Sequence, residues 1–113
     1  MLVVDDDRDI VEFLRVALED EGFRVETAFD GEVAWTAARL RRPDVIVIDL
    51  MMPRLDGLGL LGRLRAVQHL APVPVILMSA VHGGHGPLGV PFLGKPFDVE
   101  RMLEMVAVAL GVH

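Results

Sequence analysis

The sequence predicts an α/β domain built on a doubly wound parallel sheet, and three observations carry that prediction. Short apolar runs alternate with segments of helical periodicity along the whole chain of 113 residues. Val45, Ile46, Val47 and Ile48 form a continuous β-branched run, as in a parallel strand covered on both faces. The apolar runs stop at polar or charged residues, namely Asp5, Asp49, Ser79 and Lys95, rather than fading into loops.

The elements follow in order. Met1-Leu2-Val3-Val4 is a buried strand ended by Asp5-Asp6-Asp7. Ile10, Leu14, Ala17 and Leu18 then recur at helical spacing, with Val11 and Phe13 widening the stripe. Asp7 is suited to cap that helix, and Gly22 stands where a left-handed stop belongs. Phe23, Val25 and Thr27 alternate with Arg24 and Glu26 as a second, less buried strand. Asp30-Gly31 turns into a helix carrying Val33, Ala34, Ala37 and Leu40, closed by Arg41-Arg42-Pro43. The β-branched run is the third strand. After the turn Met52-Pro53-Arg54-Leu55-Asp56-Gly57, Leu58, Leu61 and Leu64 mark a third helix. Residues 73–78 read as a fourth strand, with Pro74 near its start where proline is tolerated, and residues 90–93 as a fifth. The last helix has Asp98 as N-cap, Phe97 and Met102 as a hydrophobic staple, a stripe of Val99, Leu103, Val106 and Leu110, and Gly111 at its end.

Composition bounds the function. The chain has room for one domain, residues 1–113, and its 52% hydrophobic content is enough for a core. With no cysteine, disulfides and Cys-ligated metal centres are excluded. Eleven Lys and Arg against 17 Asp and Glu, net charge −6, argue against a nucleic-acid module. No apolar run approaches the ~18 residues that span a bilayer, and no leader precedes the first strand, so the expectation is a cytoplasmic protein without membrane attachment. Of the basic residues ten are Arg and one is Lys, Lys95. A compact ammonium in place of a planar fork suits a point-charge contact with phosphate.

In an open α/β sheet, ligands bind outside the carboxyl ends of the strands. That rule gathers Asp5, Asp6, Asp49, Ser79 and Lys95 at one edge. Clustered carboxylates repel and require a cation or raised pKa values. All-oxygen donors favour Mg²⁺ over zinc or copper. A hydroxyl and an ammonium facing the acids supply what a tetrahedral oxyanion needs, which points to phosphoryl chemistry.

Five motifs stand in order on these elements: Leu2-Val3-Val4-Asp5-Asp6-Asp7, Ile48-Asp49-Leu50-Met51-Met52-Pro53, Leu55-Asp56-Gly57, Met78-Ser79-Ala80 and Lys95-Pro96-Phe97. In them the chain resembles the receiver domain of two-component response regulators along essentially its full length. The resemblance implies a flavodoxin-like five-stranded sheet of order 2-1-3-4-5. It implies that Asp49 is the phosphoacceptor, taking its phosphoryl group from a histidine kinase or phosphotransfer partner. It further implies that Asp6, Asp49 and the backbone carbonyl of Met51 ligate Mg²⁺, with Asp5 acting largely through water. Ser79 would donate to one phosphoryl oxygen and Lys95 would neutralise another, with Lys95-Pro96 cis. Ser79 and Phe92 occupy the family's switch positions, ordinary packing of the fifth strand being the alternative for Phe92. On this reading the chain accepts phosphate from phosphodonors but is not a stand-alone catalyst, and its output passes to a downstream protein.

One segment departs from the family pattern. Val81 to Pro91 is about six residues short and holds four Gly and two Pro, strong helix breakers. The fourth helix is therefore expected to be shortened or lost, which alters the usual dimer face and leaves the oligomeric state open. Gly83-Gly84-His85-Gly86 lacks the Gly-Lys-Ser/Thr ending of a P-loop, and His82 with His85 lacks a third metal ligand. Asp7 and Asp9 read as helix-start acids, Asp56-Gly57 as turn and cap, and Trp35 as packing or a partner contact. Arg39, Arg41 and Arg42 read as a solvated helix end, kinase docking being the alternative. A receiver-fold interaction module without regulated phosphorylation is the rival function. A small aspartyl-phosphatase of the haloacid dehalogenase type is a weaker one, because Arg8-Asp9 follow the Asp-x-Asp where such enzymes carry Thr. No DNA-binding or catalytic output segment is legible, so output is expected from a partner, from phosphorelay, or from residues outside this chain.

Overall fold

The computed structural model describes residues 1–80 and 89–111. Its elements run β1 (Leu2–Val4), α1 (Arg8–Asp20), β2 (Glu26–Ala28), α2 (Gly31–Leu40), β3 (Ile46–Asp49), α3 (Gly57–Ala66), β4 (Val75–Ser79), β5 (Phe92–Gly94) and α4 (Val99–Ala109). The strands form one five-stranded sheet of order β2-β1-β3-β4-β5, and every pairing is parallel. Four helices are present among the described residues, which fits the expected shortening. The Gly- and His-bearing segment on which that expectation centres, residues 81–88, lies outside the described residues.

Parallel strands covered on both faces need apolar side chains pointing both ways, and the three central strands supply them. Leu2, Val4, Ile46, Ile48, Val75 and Leu77 point to the side where α2 and α3 pack. Val3, Val47, Ile76 and Met78 point to the side covered by α1 and α4. The helices answer with Ala34, Ala38, Leu60, Leu61 and Leu64 on the first side, and Val11, Leu14, Leu18, Met102 and Val106 on the second. Each helix opens on an aspartate whose carboxylate accepts backbone N–H bonds: Asp7 from Asp9 and Ile10, Asp30 from Val33, Asp56 from Gly59, Asp98 from Arg101. These caps satisfy donors that have no partner inside the helix. Gly22 and Gly111 have φ of +93° and +74°, the left-handed stops that their positions suggested. Among the described residues no helix is long and apolar enough to cross a membrane.

Several details differ from expectation. Phe13 is exposed, and α1 buries Val11 with Leu14 and Leu18 instead. The second strand begins only at Glu26, the residue that pairs with Leu2. Phe23 and Val25 precede it and pack half-buried against the α1–α4 side. The fifth strand starts two residues later than Val90, at Phe92. Helix α2 departs most: Gly31, Ala34 and Ala38 face the sheet, whereas Val33 is 50% exposed and Leu40 79%. Small residues win the inner face because α2 lies close against its neighbours; a Cβ on Gly31 would stand 2.0 Å from the Leu55 carbonyl oxygen. Trp35 packs against the α2–α3 core, with the Arg39 guanidinium 4.8 Å from its ring centre.

This assignment of faces predicts that Leu64→Ala, at a fully packed site, costs about 2–5 kcal/mol. Leu40→Ala, on the outer face, should stay within about 0.5 kcal/mol. Urea unfolding of dilute protein measures both.

Candidate functional site

The parallel register carries the ends of β1 and β3 to the same level. Val4 pairs with Ile48, so Asp5 and Asp49 leave adjacent strands side by side. Asp5 is fully buried and Asp49 is 5% exposed, while Asp6 faces solvent. Carboxylate oxygens of Asp5, Asp6 and Asp49 lie within 4.8 Å of one another. On the next strands, Ser79 pairs with Gly94, and the backbone N–H of Lys95 donates to the Ser79 carbonyl at 2.7 Å. That bond anchors the start of the Lys95 side chain, whose Nζ donates to Asp5 Oδ2 at 2.7 Å and lies 3.5 Å from Asp49 Oδ1. The Lys95–Pro96 peptide is cis, as the resemblance to receiver domains implied.

Asp5 is thus held at both oxygens, since its Oδ1 accepts the backbone N–H of Asp7 at 2.9 Å. Burial of Asp49 raises its pKa from 3.8 to about 6, and the neighbouring Asp5 charge adds to the rise. The Lys95 ammonium and the backbone N–H of Met51 oppose it without cancelling it. For Lys95, burial alone would lower the pKa, but its hydrogen bond to Asp5 and the charges of Asp5 and Asp49 outweigh burial and raise it. Three acids and one ammonium therefore leave an uncompensated negative centre in which Asp49 is the strained member. An all-oxygen donor set of this kind fits a hard divalent cation.

The remaining residues singled out in the sequence lie close by. Ser79 is buried at the end of β4. Met51 stands on the connection after β3, its side chain exposed. Phe92 opens β5, pairs with Leu77 and packs half-buried against the α2–α3 core. His82 and His85 lie outside the described residues. Gly57 was legible only as part of a turn and cap, and it also shapes the site. A Cβ there would meet the Asp49 carbonyl oxygen at 2.6 Å and Leu50 Cα at 2.8 Å. Its N–H donates to the Leu50 carbonyl at 3.1 Å, so the start of α3 is stitched directly to the end of β3. Nothing local in the sequence signals that approach, because it joins segments that meet only in the fold.

The family model of the response regulator receiver domain matches residues 1–107. The chain belongs to that family. It is 35% identical to the DNA-binding dual master transcriptional regulator RpaA of Synechocystis, over 97% of this chain and 48% of that protein. Among solved structures it is similar to the receiver domain of the Francisella response regulator 1452, at 35% identity and TM-score 0.87, covering 97% of this chain and 94% of that one. It is also similar to the chemotaxis response regulator CheY4 of Vibrio cholerae, at 30% identity and TM-score 0.89, with 96% of each chain covered. The chain spans about half the length of the curated relatives it matches. Family membership corrects one expectation. The sequence suggested a receiver that is not a stand-alone catalyst, whereas response regulators autophosphorylate and have phosphatase-like activity.

The raised Asp49 pKa sets a pH dependence for the metal-free protein. Between the unfolded value near 4 and the folded value of about 6, the folded state holds the proton more tightly. Stability is therefore expected to fall as pH rises through this window and to stay lower above it. Asp49→Asn should remove that part of the slope and raise stability at neutral pH, by on the order of 1–3 kcal/mol. Urea unfolding of both proteins in chelator, at several pH values, measures the difference.

Proposed function

We propose that this chain is a phosphoacceptor receiver of two-component signalling, with residues 1–113 forming one receiver domain in the cytoplasm. In this reading a histidine kinase or phosphotransfer protein presents a phosphohistidine to Asp49. A carboxylate oxygen of Asp49 forms a bond to phosphorus while the phosphorus–nitrogen bond breaks, and the electron pair returns to the donor imidazole. The observation that carries the proposal is the placement of Asp49, buried at a strand end, 3.5 Å from the Lys95 ammonium and grouped with Asp5 and Asp6.

Asp6, Asp49 and the Met51 carbonyl are the proposed direct ligands of Mg²⁺, with Asp5 acting mostly through water. The two bonds that already occupy Asp5 support that division. When bound, Mg²⁺ supplies positive charge shared between the carboxylates and the phosphoryl oxygens. Lys95 is proposed to swing its charge from Asp5 and Asp49 towards the incoming group, and Ser79 to donate a hydrogen bond to another of its oxygens. The chain's contribution is then alignment and charge compensation, which dominate phosphoryl transfer. A phosphoryl group brings about −1.5 to −2 charge to the end of β3. Ser79 and Phe92 are proposed to transmit that change to the surface read by a downstream protein. A net charge of −6 supports protein partners over direct nucleic-acid contact for this chain.

Incubation with Mg²⁺ and a small phosphodonor should add one phosphoryl group, labile to base and stable to acid, seen by intact mass. Asp49→Asn should show none; equal adducts on both proteins, or on neither, would favour a constant interaction module. Millimolar Mg²⁺ should also raise the melting temperature of the unmodified chain by selective binding to the folded state, and Asp6→Ala should blunt the rise. Lys95→Arg keeps the charge but not the compact shape, and we expect phosphorylation to slow about a hundredfold. Pseudo-first-order labelling rates measure it.

A further inference from the structure

Among the described residues, every one with a left-handed backbone is a glycine except Arg54, whose φ is +69°. A side chain costs free energy in that region, and glycine is the residue that avoids the cost. An arginine held there points to a task for its guanidinium. The guanidinium lies 3.6 Å from Asp30 Oδ2, and the Asp30 side chain is only 16% exposed. The other Asp30 oxygen accepts the Val33 N–H at 2.9 Å, as the cap of α2. One carboxylate thus joins the start of α2 to the connection between β3 and α3.

That connection is a closed loop. The Gly57 N–H donates to the Leu50 carbonyl at 3.1 Å, which ties the two ends together, and Pro53 stiffens the span between them. Leu55 is wedged between two helices: a Cβ on Gly31 would stand 2.0 Å from its carbonyl oxygen, and one on Gly59 2.7 Å from its Cδ1. Met52 and Leu55 pack half-buried against the α2–α3 core, whereas Met51, Pro53 and Arg54 form an exposed shoulder. Among the described residues, the pair with Asp30 is the one ion pair that ties this shoulder to another element. The shoulder reaches the site through Met51, whose backbone N–H is hydrogen-bonded to Asp49.

We propose that Arg54 is a positioning residue for the metal site: it ties the loop that carries Met51 to the start of α2, and so sets the Met51 carbonyl for the cation. The inference rests on the Mg²⁺ ligands proposed above. An exposed ion pair contributes little to global stability. A loop already fixed at both ends needs little to favour one tilt over another, so the same small energy decides where a ligand atom lies. Groups that orient the ligands of a metal govern its affinity without touching the ion. The charge of Arg54 acts in the opposite sense, because a guanidinium beside a cation site repels the cation. Loss of Arg54 therefore separates the two effects by sign: weaker binding marks positioning, and tighter binding marks charge alone.

Calorimetric titration of the chain with MgCl₂ tests this. Arg54→Gly suits the left-handed backbone and lacks the guanidinium; it should bind Mg²⁺ about tenfold more weakly than wild type. Arg54→Lys keeps a cation within reach of Asp30 and should recover part of the loss. Asp30→Asn keeps an acceptor for the helix cap and removes the charge that Arg54 meets, so its affinity should fall by a similar factor. The double variant, Asp30→Asn with Arg54→Gly, has the net charge of wild type. It should bind no more weakly than either single variant, because all three lack the same contact. Melting temperatures in chelator should stay within about 4 °C of wild type; a larger fall assigns Arg54 to the fold and overturns the proposal. Unchanged or tighter binding by Arg54→Gly, or losses that multiply in the double variant, would overturn the role given to Arg54 and leave the metal ligands standing. A wild type that does not bind Mg²⁺ would overturn the ligands themselves, and this inference with them.

Discussion

Asp5 sits with no exposed surface just past the end of β1, and its carboxylate is met by the Lys95 ammonium at 2.7 Å. The two residues are 90 positions apart, on strands separated by two others in the sheet. A buried ion pair repays its desolvation poorly, yet removing one partner strands the other charge and is strongly destabilising. Here the arithmetic is harsher, since Lys95 answers to Asp49 as well as to Asp5. At the carboxyl edge of the sheet that ammonium is the cation in contact with both buried acids among the described residues. Lys95 therefore ties fold and site together: it makes two neighbouring buried acids tolerable, and it leaves the cluster short of full neutrality.

That residual imbalance explains why the site lies at the edge and not deeper. Along β1 and β3 every residue before the acids is apolar and buried, and none asks for a polar partner. Polar demand begins where the strands stop, and short connections hold it there. Asp7 turns its N–H back to Asp5 and then caps α1 with its own carboxylate, so one residue serves the site and the helix. Gly57 does the same at the level of backbone, bringing α3 against the Asp49 and Leu50 main chain. Any side chain at position 57 would press on the peptide that joins Asp49 to Leu50.

Much of this was legible in the sequence, for a definite reason. Strand ends are marked by an abrupt change from apolar to charged, as at Asp5 and Asp49, and helix starts by aspartates that accept backbone donors. Both signals are local, and both survived in the fold. The failures are non-local. Val33 and Leu40 had the hydrophobicity expected of a core stripe, but the approach of α2 to Leu55 favours the smaller faces of Gly31, Ala34 and Ala38. Phe13 was apolar and correctly spaced, yet Val11 lay nearer the axis that α1 presents to the sheet. Gly57 was invisible for the same reason, because its constraint comes from a strand it meets only after folding.

The lone lysine carries the argument one step further. Ten arginines supply the other positive charges, most of them exposed on helix surfaces, where a broad fork does no harm. At position 95 the side chain is 16% exposed and must reach two carboxylates on two strands at once. A guanidinium spreads its charge over a plane and pairs best with one carboxylate along two parallel bonds. It would bind Asp5 well and leave Asp49 behind. An ammonium has no such preference: it can bond to Asp5 and still act on Asp49 from 3.5 Å. It can also exchange either contact for a third oxygen by rotating a flexible stem. The residue that allows the buried acids to coexist is thus the one whose shape leaves it free to turn to a newcomer between them.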